Sequence, residues 1–316
     1  MFDIIARVRG SIAALPTPYR FGRVDFDALT GLCNRLIDRG TSALAPCGTT
    51  GEAPLLTLEE QHQIVACTVA ASAGRVRVIA GAGSNNTGTA VELARSAEKA
   101  GASALLCVTP FYLKPSQTGL VAHFQAIHDA VDIPIILYDV PSRTGCALAD
   151  VTVRRLAELP RIRGLKDATG DIPRVPRLRR RLGNGFLLLS GDDPTQGAFR
   201  KAGGDGCISV TANVAPALCA ALHRACDAGN AQEVARLEHV LAPLHAALFL
   251  EANPIPLKRA LHRLGLMGDG LRLPLTPLGP IADQRLARIL EAVDAAELEE
   301  ALRFASSSHP HQPRAA

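Results

Sequence analysis

Lys166 ends a short apolar run, Ile162-Arg163-Gly164-Leu165, in a chain that otherwise chooses arginine for its positive charges. Of 34 basic residues, five are lysine (99, 114, 166, 201 and 258) and 29 are arginine. An amine attacks a carbonyl in its neutral form, and burial lowers an amine's pKa toward that form. Arginine stays charged and cannot take this part. A lysine ending a buried strand therefore points to covalent, Schiff-base chemistry. The competing reading is structural, with Lys166 paired to Asp167 or Glu52.

Tyr138 suits the proton traffic that such a lysine needs. A phenol donates to a departing hydroxyl and takes the proton back when other hydroxyls link it to solvent. Thr49 and Tyr112 are candidates for that link; the chain holds only three tyrosines. The alternative for Tyr138 is a core ring whose hydroxyl is merely satisfied. Thr50 and the amides around Gly51 suit a carboxylate, or else a tight turn capped by threonine. Arg143, Asp192, Asp193, Thr211 and Asn213 complete the polar set.

Each of these residues ends or follows a run that reads as a strand. The runs are Ser11–Leu15, Ala43–Pro46, Val76–Ala80, Ala104–Val108, Ile133–Tyr138, Ile162–Lys166, Phe186–Ser190 and Gly206–Val210. Stretches of helical period separate them, among them Phe26–Arg39, Leu58–Ala73, Thr89–Ala100 and Gly119–Val131. Gly40, Gly74 and Gly101 stand at helix ends, and Thr57 with Glu60 has capping-box spacing. About eight strands alternating with helices predict an α/β fold, a (β/α)₈ TIM barrel, with its chemistry at the C-terminal strand ends. An open doubly wound sheet would carry a glycine-rich phosphate loop after its first strand. Here Pro16-Thr17-Pro18 stands there, and Gly81-Ala82-Gly83 follows the third strand without a third glycine. The expected division is a barrel over 1–227, a C-terminal helical extension over 228–303 and a disordered tail over 304–316.

The chain's composition narrows the function class. A net charge of +4 is spread among acidic residues, with no basic stripe interleaved with aromatics, so nucleic acid is not an expected partner. The densest basic stretch, Arg174, Arg177, Arg179, Arg180 and Arg181, reads as an exposed helix face. Eight scattered cysteines without metal-ligand spacing read as small buried apolar groups in a reducing compartment. The N-terminus lacks the apolar core of a signal peptide, and no apolar run is long enough to span a membrane. A cytoplasmic protein without a metal is expected; the histidines are dispersed, and His309 and His311 lie in the tail.

Gly48-Thr49-Thr50-Gly51-Glu52, Tyr138-Asp139-Val140-Pro141-Ser142-Arg143-Thr144-Gly145 and Gly164-Leu165-Lys166-Asp167-Ala168-Thr169-Gly170 resemble the signatures of the 4-hydroxy-tetrahydrodipicolinate (dihydrodipicolinate) synthase family. That family belongs to the pyruvate-dependent class I aldolase superfamily. Leu189–Asp193, Ile208–Asn213 and Asn253–Lys258 extend the resemblance, which runs from about residue 10 to 280. It implies condensation of pyruvate with L-aspartate 4-semialdehyde in the diaminopimelate and lysine pathway, with no cofactor. It also implies Lys166 as the Schiff-base lysine, Tyr138 as proton donor and acceptor, and Thr49 with Tyr112 as the relay. Thr50 and the backbone of Ile208 would contact pyruvate, and Arg143 would receive the aldehyde's carboxylate. The relay tyrosine of such enzymes reaches a neighbouring subunit, which implies a homotetramer.

Two departures from the family pattern stand out. Asp139 occupies a position where the family usually has Asn, and its charge is expected to disfavour a Tyr138 phenolate. Lysine-inhibited members carry His, Glu and Tyr where this chain has Gln61, Thr89 and Phe111, so weak or absent feedback by lysine is expected. The rival functions are a sialic-acid or 2-keto-3-deoxy sugar-acid aldolase using the same lysine, and a non-catalytic pyruvate-binding barrel.

Overall fold

The eight apolar runs close on one another because each is too buried to leave an edge in water. In the computed structural model, which describes residues 8–308, they form a closed parallel barrel. The barrel strands are β1 (Gly10–Ala14), β4 (Ala43–Ala45), β5 (Arg77–Gly81), β6 (Ala104–Val108), β7 (Ile135–Asp139), β8 (Ile162–Asp167), β9 (Leu187–Ser190) and β10 (Gly206–Ser209). Each pairs with its neighbour in sequence, and β1 returns to β10. A small antiparallel hairpin, β2 (Tyr19–Arg20) and β3 (Arg23–Val24), follows the first strand. The strand positions agree with the sequence reading to within two residues at each end.

Side chains alternate along each strand and so divide the core in two. Ile12, Ala45, Ile79, Ile136, Leu187, Leu189 and Ile208 fill the barrel interior, and Tyr138 packs with them. Leu44, Leu105, Leu137, Leu165 and Leu188 face outward against the helices. These helices are α1 (Phe26–Asp38), α2 (Leu58–Ser72), α3 (Thr87–Lys99), α4 (Gln117–Ala130), the short α5 (Pro141–Thr144), α6 (Asp150–Ala157), α7 (Arg174–Leu182), α8 (Gln196–Lys201) and α9 (Pro216–Asp227). The start of α2 carries the expected capping box. The Glu60 amide donates to Thr57 Oγ1 at 3.1 Å, and Glu60 Oε2 accepts from the Thr57 amide at 3.0 Å. Caps of this kind contribute about 1 kcal/mol.

The weak glycine motif after β5 has a packing cause. A Cβ on Gly81 would lie 1.9 Å from the Cys47 carbonyl oxygen, so only glycine lets these strand ends approach.

Beyond the barrel run α10 (Ala231–Ala247), α11 (Ile255–Arg263) and α12 (Pro280–Ser308). Helix α12 continues to Ser308, so the tail expected from residue 304 begins as helix; residues 309–316, with His309 and His311, lie outside the described residues. Residues 1–7 of the segment read for a leader lie outside them as well. Among the described residues no helix is long and apolar enough to cross a membrane.

The basic stretch is corrected in one member. Arg174 is buried rather than exposed, whereas Arg177, Arg180 and Arg181 face solvent. Periodicity gave Arg174 no buried partner; aspartates 7, 24 and 35 positions before it supply one.

Candidate active site

The C-terminal strand ends surround a cavity of about 140 Å³. Lys166 comes from β8, Tyr138 from β7, Ile208 from β10, Thr49 and Thr50 from the loop after β4, and Arg143 from α5. These six sequence-predicted residues line one space. Lys166 Nζ stands 4.3 Å from the centre of the Tyr138 ring, and the two residues are register partners across β7 and β8. A Cβ on Gly191 would lie 3.1 Å from Lys166 Cε and 2.8 Å from Ala168 Cβ, so this glycine leaves the lysine stem its room.

The structural partners considered for Lys166 are engaged elsewhere. Glu52 Oε1 accepts from Lys258 Nζ at 2.6 Å, and both side chains are fully buried. Asp167 Oδ2 pairs with Arg174 at 3.2 Å, and its Oδ1 accepts from the Thr169 amide and hydroxyl. Among the described residues Lys166 forms no ion pair. Of the two buried lysines, Lys258 has a carboxylate and no access to the cavity; Lys166 has the cavity and no carboxylate. That is the arrangement a nucleophilic amine requires.

A second, more apolar cavity of about 330 Å³ adjoins the first. Thr49, Tyr138, Arg143 and Asn253 border both, and Phe111, Pro54, Leu55, Pro274 and Leu275 line the outer one alone. Arg143 borders both cavities and forms no ion pair among the described residues.

Tyr112 is not brought to this site. The residue is 85% exposed and lines neither cavity. Its backbone holds φ +74°, with its amide donating to the Thr144 carbonyl at 3.1 Å. No hydrogen bond joins Tyr138, Thr49 and Tyr112 among the described residues, so a single chain does not close the relay. Several other polar candidates are structural. Asp193 accepts from the Ser209 hydroxyl and the Val210 amide, Asn213 Nδ2 donates to the Ala14 carbonyl, and Thr211 bonds His245.

The expectation for Asp139 is corrected. Its carboxylate faces away from the cavity, where Arg174 Nη1 donates to it at 2.8 Å and the Leu148 amide at 3.2 Å. Burial pushes the Asp139 carboxyl up, and Arg174 opposes that rise. The charge is therefore paired with Arg174 on the helix side of the strand, with no contact to the Tyr138 phenol among the described residues.

A model of the dihydrodipicolinate synthetase family matches residues 7–293 of this sequence. The chain belongs to that family. The 4-hydroxy-tetrahydrodipicolinate synthase of Parvibaculum lavamentivorans is 50% identical over 278 residues, 88% of this chain and 96% of that one. The structure of the chloride-inhibited dihydrodipicolinate synthase from Acinetobacter baumannii, complexed with pyruvate, is similar with a TM-score of 0.89 at 44% identity, covering 91% of this chain and 99% of its own. The enzyme from Cyanidioschyzon merolae, determined with lysine bound, gives 0.88 at 38% identity, covering 90% and 98%.

In this dihydrodipicolinate synthetase site, sequence reasoning missed Asn253. The residue precedes α11, lines the cavity, and donates from Nδ2 to Thr50 Oγ1 at 3.0 Å. With that lone pair occupied, the Thr50 hydroxyl proton is free to point at a bound carboxylate. Only the motif Asn253-Pro254-Ile255-Pro256-Leu257-Lys258 signalled it, and no local spacing ties it to a residue 203 positions earlier.

Proposed function

We propose that this lyase condenses pyruvate with L-aspartate 4-semialdehyde through a Schiff base on Lys166, giving 4-hydroxy-tetrahydrodipicolinate. The observation that carries the reading is Lys166 itself: buried, without an ion pair among the described residues, and lining the cavity beside Tyr138. Its family supplies the substrates, since relatives at about this similarity are 4-hydroxy-tetrahydrodipicolinate synthases, and one is complexed with pyruvate.

Neutral Lys166 Nζ adds to C2 of pyruvate, and Tyr138 donates the proton with which the carbinolamine hydroxyl leaves as water. The imine draws electrons from the methyl group, which loses a proton and becomes the enamine carbon. That carbon attacks the aldehyde, and a proton reaches the new alkoxide. The amino group of the second substrate then displaces Lys166 from C2, closing the ring and restoring the free amine. Lysine is the electron sink throughout, so this chemistry calls for no cofactor. Thr50, held by Asn253, receives the pyruvate carboxylate with the backbone at Ile208. Arg143, bordering both cavities, receives the carboxylate of the aldehyde; its planar fork fits that group.

Borohydride reduction in the presence of pyruvate is expected to add one reduced pyruvate to Lys166, read by peptide mass. A substrate panel of aspartate semialdehyde, N-acetylneuraminate and 2-keto-3-deoxy acids is expected to yield turnover with the first alone. No adduct, or an adduct on another lysine, would refute the mechanism; turnover of a sugar acid would reassign the acceptor.

Tyr112, exposed and away from its own cavity, supports a homotetramer in which the phenol completes the relay in a neighbouring copy. Light scattering giving a single-chain mass at assay concentration would remove that proposal. A cytoplasmic location is proposed with it, since the eight cysteines among the described residues are all free thiols; cell fractionation tests it.

Regulation by lysine is expected to be weak. Gln61 is buried with its amide donating to the Ala53 carbonyl at 3.2 Å, Thr89 is exposed in the first turn of α3, and Phe111 lines the apolar outer cavity. None of the three offers a carboxylate to an incoming ammonium. Losing such a partner costs a few kcal/mol, so initial rates should change less than about twofold at 1 mM L-lysine. Strong inhibition at that concentration would show that other residues supply the charge.

A further inference from the structure

Behind the catalytic pair lies a buried charge cluster that the reaction scheme leaves unused. In the pairing of β7 with β8, Tyr138 stands opposite Lys166 and Asp139 opposite Asp167. Alternation along the strands sends the first pair into the cavity and the second toward the helices. Arg174, the first residue of α7, meets both acids there with one nitrogen. Its Nη1 donates to Asp139 Oδ2 at 2.8 Å and to Asp167 Oδ2 at 3.2 Å. Its Nη2 donates to the Leu148 carbonyl at 2.5 Å, and Nε to Asp150 Oδ1 at 2.9 Å. The Leu148 amide closes the ring by donating to Asp139.

We propose that Arg174 is a positioning residue for the Schiff-base reaction, clamping the ends of β7 and β8 so that Tyr138 and Lys166 keep their register and their charge balance. This rests on the reading of Lys166 as nucleophile and Tyr138 as proton donor.

The clamp acts in two ways. Geometrically, a single guanidinium fixes two adjacent strand ends and the Leu148–Asp150 segment, one residue behind the reacting groups. Proton transfer and amine attack tolerate little slack; a displacement of about 1 Å costs on the order of 100-fold in rate. Electrostatically, Asp139 from β7, Asp167 from β8 and Asp150 from α6 face one Arg174. Arg177 bridges Asp150 and Asp171 from the surface. On the cavity side Lys166 shares the lining with Tyr138, Arg143 and Asp192. Without Arg174, two buried carboxylates on the far side of β7 and β8 lose their counter-charge and favour the ammonium form of the amine.

Three variants of the full-length enzyme test this, each compared with wild type by borohydride trapping, steady-state kinetics and the pH profile of kcat/KM for pyruvate. Arg174→Lys keeps the charge and loses the fork. It is expected to trap pyruvate on Lys166 with KM for pyruvate within about twofold, but with kcat lowered roughly 10-fold or more and an unshifted acid limb. Arg174→Met is expected to move the acid limb to higher pH by about one unit. Asp139→Asn, the mildest change, is expected to move it to lower pH by roughly half a unit while folding normally. Wild-type kcat and pH profile in both Arg174→Lys and Asp139→Asn, whatever their melting temperatures, would make the cluster purely structural and overturn the proposal. Should Arg174→Met fail to fold, those two variants decide. A wild type that traps no pyruvate on Lys166 refutes the underlying mechanism instead, and that result is read before any variant is compared.

Discussion

Lys166→Ala is expected to lower kcat by roughly 10⁴-fold or more, about 5 kcal/mol of transition-state stabilisation, and to abolish the borohydride-trapped pyruvate adduct. The size follows from the loss of the covalent intermediate rather than of a contact. Without the amine there is no imine to acidify the methyl group, and oxyanion or carboxylate contacts from Thr50 cannot replace an electron sink. Lys166→Arg should fare no better, because a guanidinium does not shed its proton to attack a carbonyl. Tyr138→Phe separates the two roles. It keeps the ring against Lys166 and removes only the hydroxyl, so it should still form the adduct, with kcat lowered roughly 10²–10⁴-fold. Mass spectrometry of the trapped protein and stopped-flow turnover read these outcomes. An adduct surviving in Lys166→Ala would move the nucleophile elsewhere. Lys258 is a poor substitute, since it is fully buried on Glu52 and away from the cavity.

Much of this site was legible because a barrel converts sequence order into proximity. Thr49, Thr50, Tyr138, Arg143, Lys166 and Ile208 are spread over 160 positions, yet each sits at the end of a strand or just after one, and those ends converge on one face. What escaped has the opposite character. Asn253, just before α11, and Lys258, within it, reach the loop after β4 across 203 and 206 residues, and nothing in local period or turn chemistry encodes that contact. Arg174 sat in a run of arginines whose average behaviour is solvation. Only the tertiary arrangement of Asp139, Asp150 and Asp167 made this one different from its neighbours. Asp139 was misjudged for a related reason: adjacency in sequence to Tyr138 suggested adjacency in space, whereas strand alternation puts the two on opposite faces. Tyr112 shows another limit: the partner proposed for its phenol lies in a neighbouring copy, and nothing within its own chain marks it.

The second large effect is expected at Glu52 and Lys258. Glu52 ends the Gly48–Glu52 turn in the left-handed conformation at φ +59°, and its carboxylate is sealed from solvent. Lys258 Nζ donates to it at 2.6 Å and lies 4.1 Å from the centre of the Tyr19 ring; the Arg272 amide adds a longer contact of 3.4 Å to the other oxygen. Burial pulls the Lys258 amine down from its ordinary value, and the Glu52 carboxylate opposes that pull. Lys258→Met removes one charge and leaves the other buried without its partner. Breaking a buried pair in this way costs about 3–5 kcal/mol, which equilibrium unfolding in urea measures as a lower midpoint. The double variant Glu52→Gln/Lys258→Met removes both charges and is expected to recover most of that loss, because the penalty belongs to the stranded carboxylate rather than to the missing attraction. Losses that simply add in the double variant would show that the two residues contribute independently. The pair also anchors the loop that presents Thr49 and Thr50, with Asn253 five residues before Lys258 holding Thr50 directly. Lys258→Met is therefore expected to raise KM for pyruvate even at temperatures where the variant remains folded, joining the stability of this turn to the binding of the first substrate.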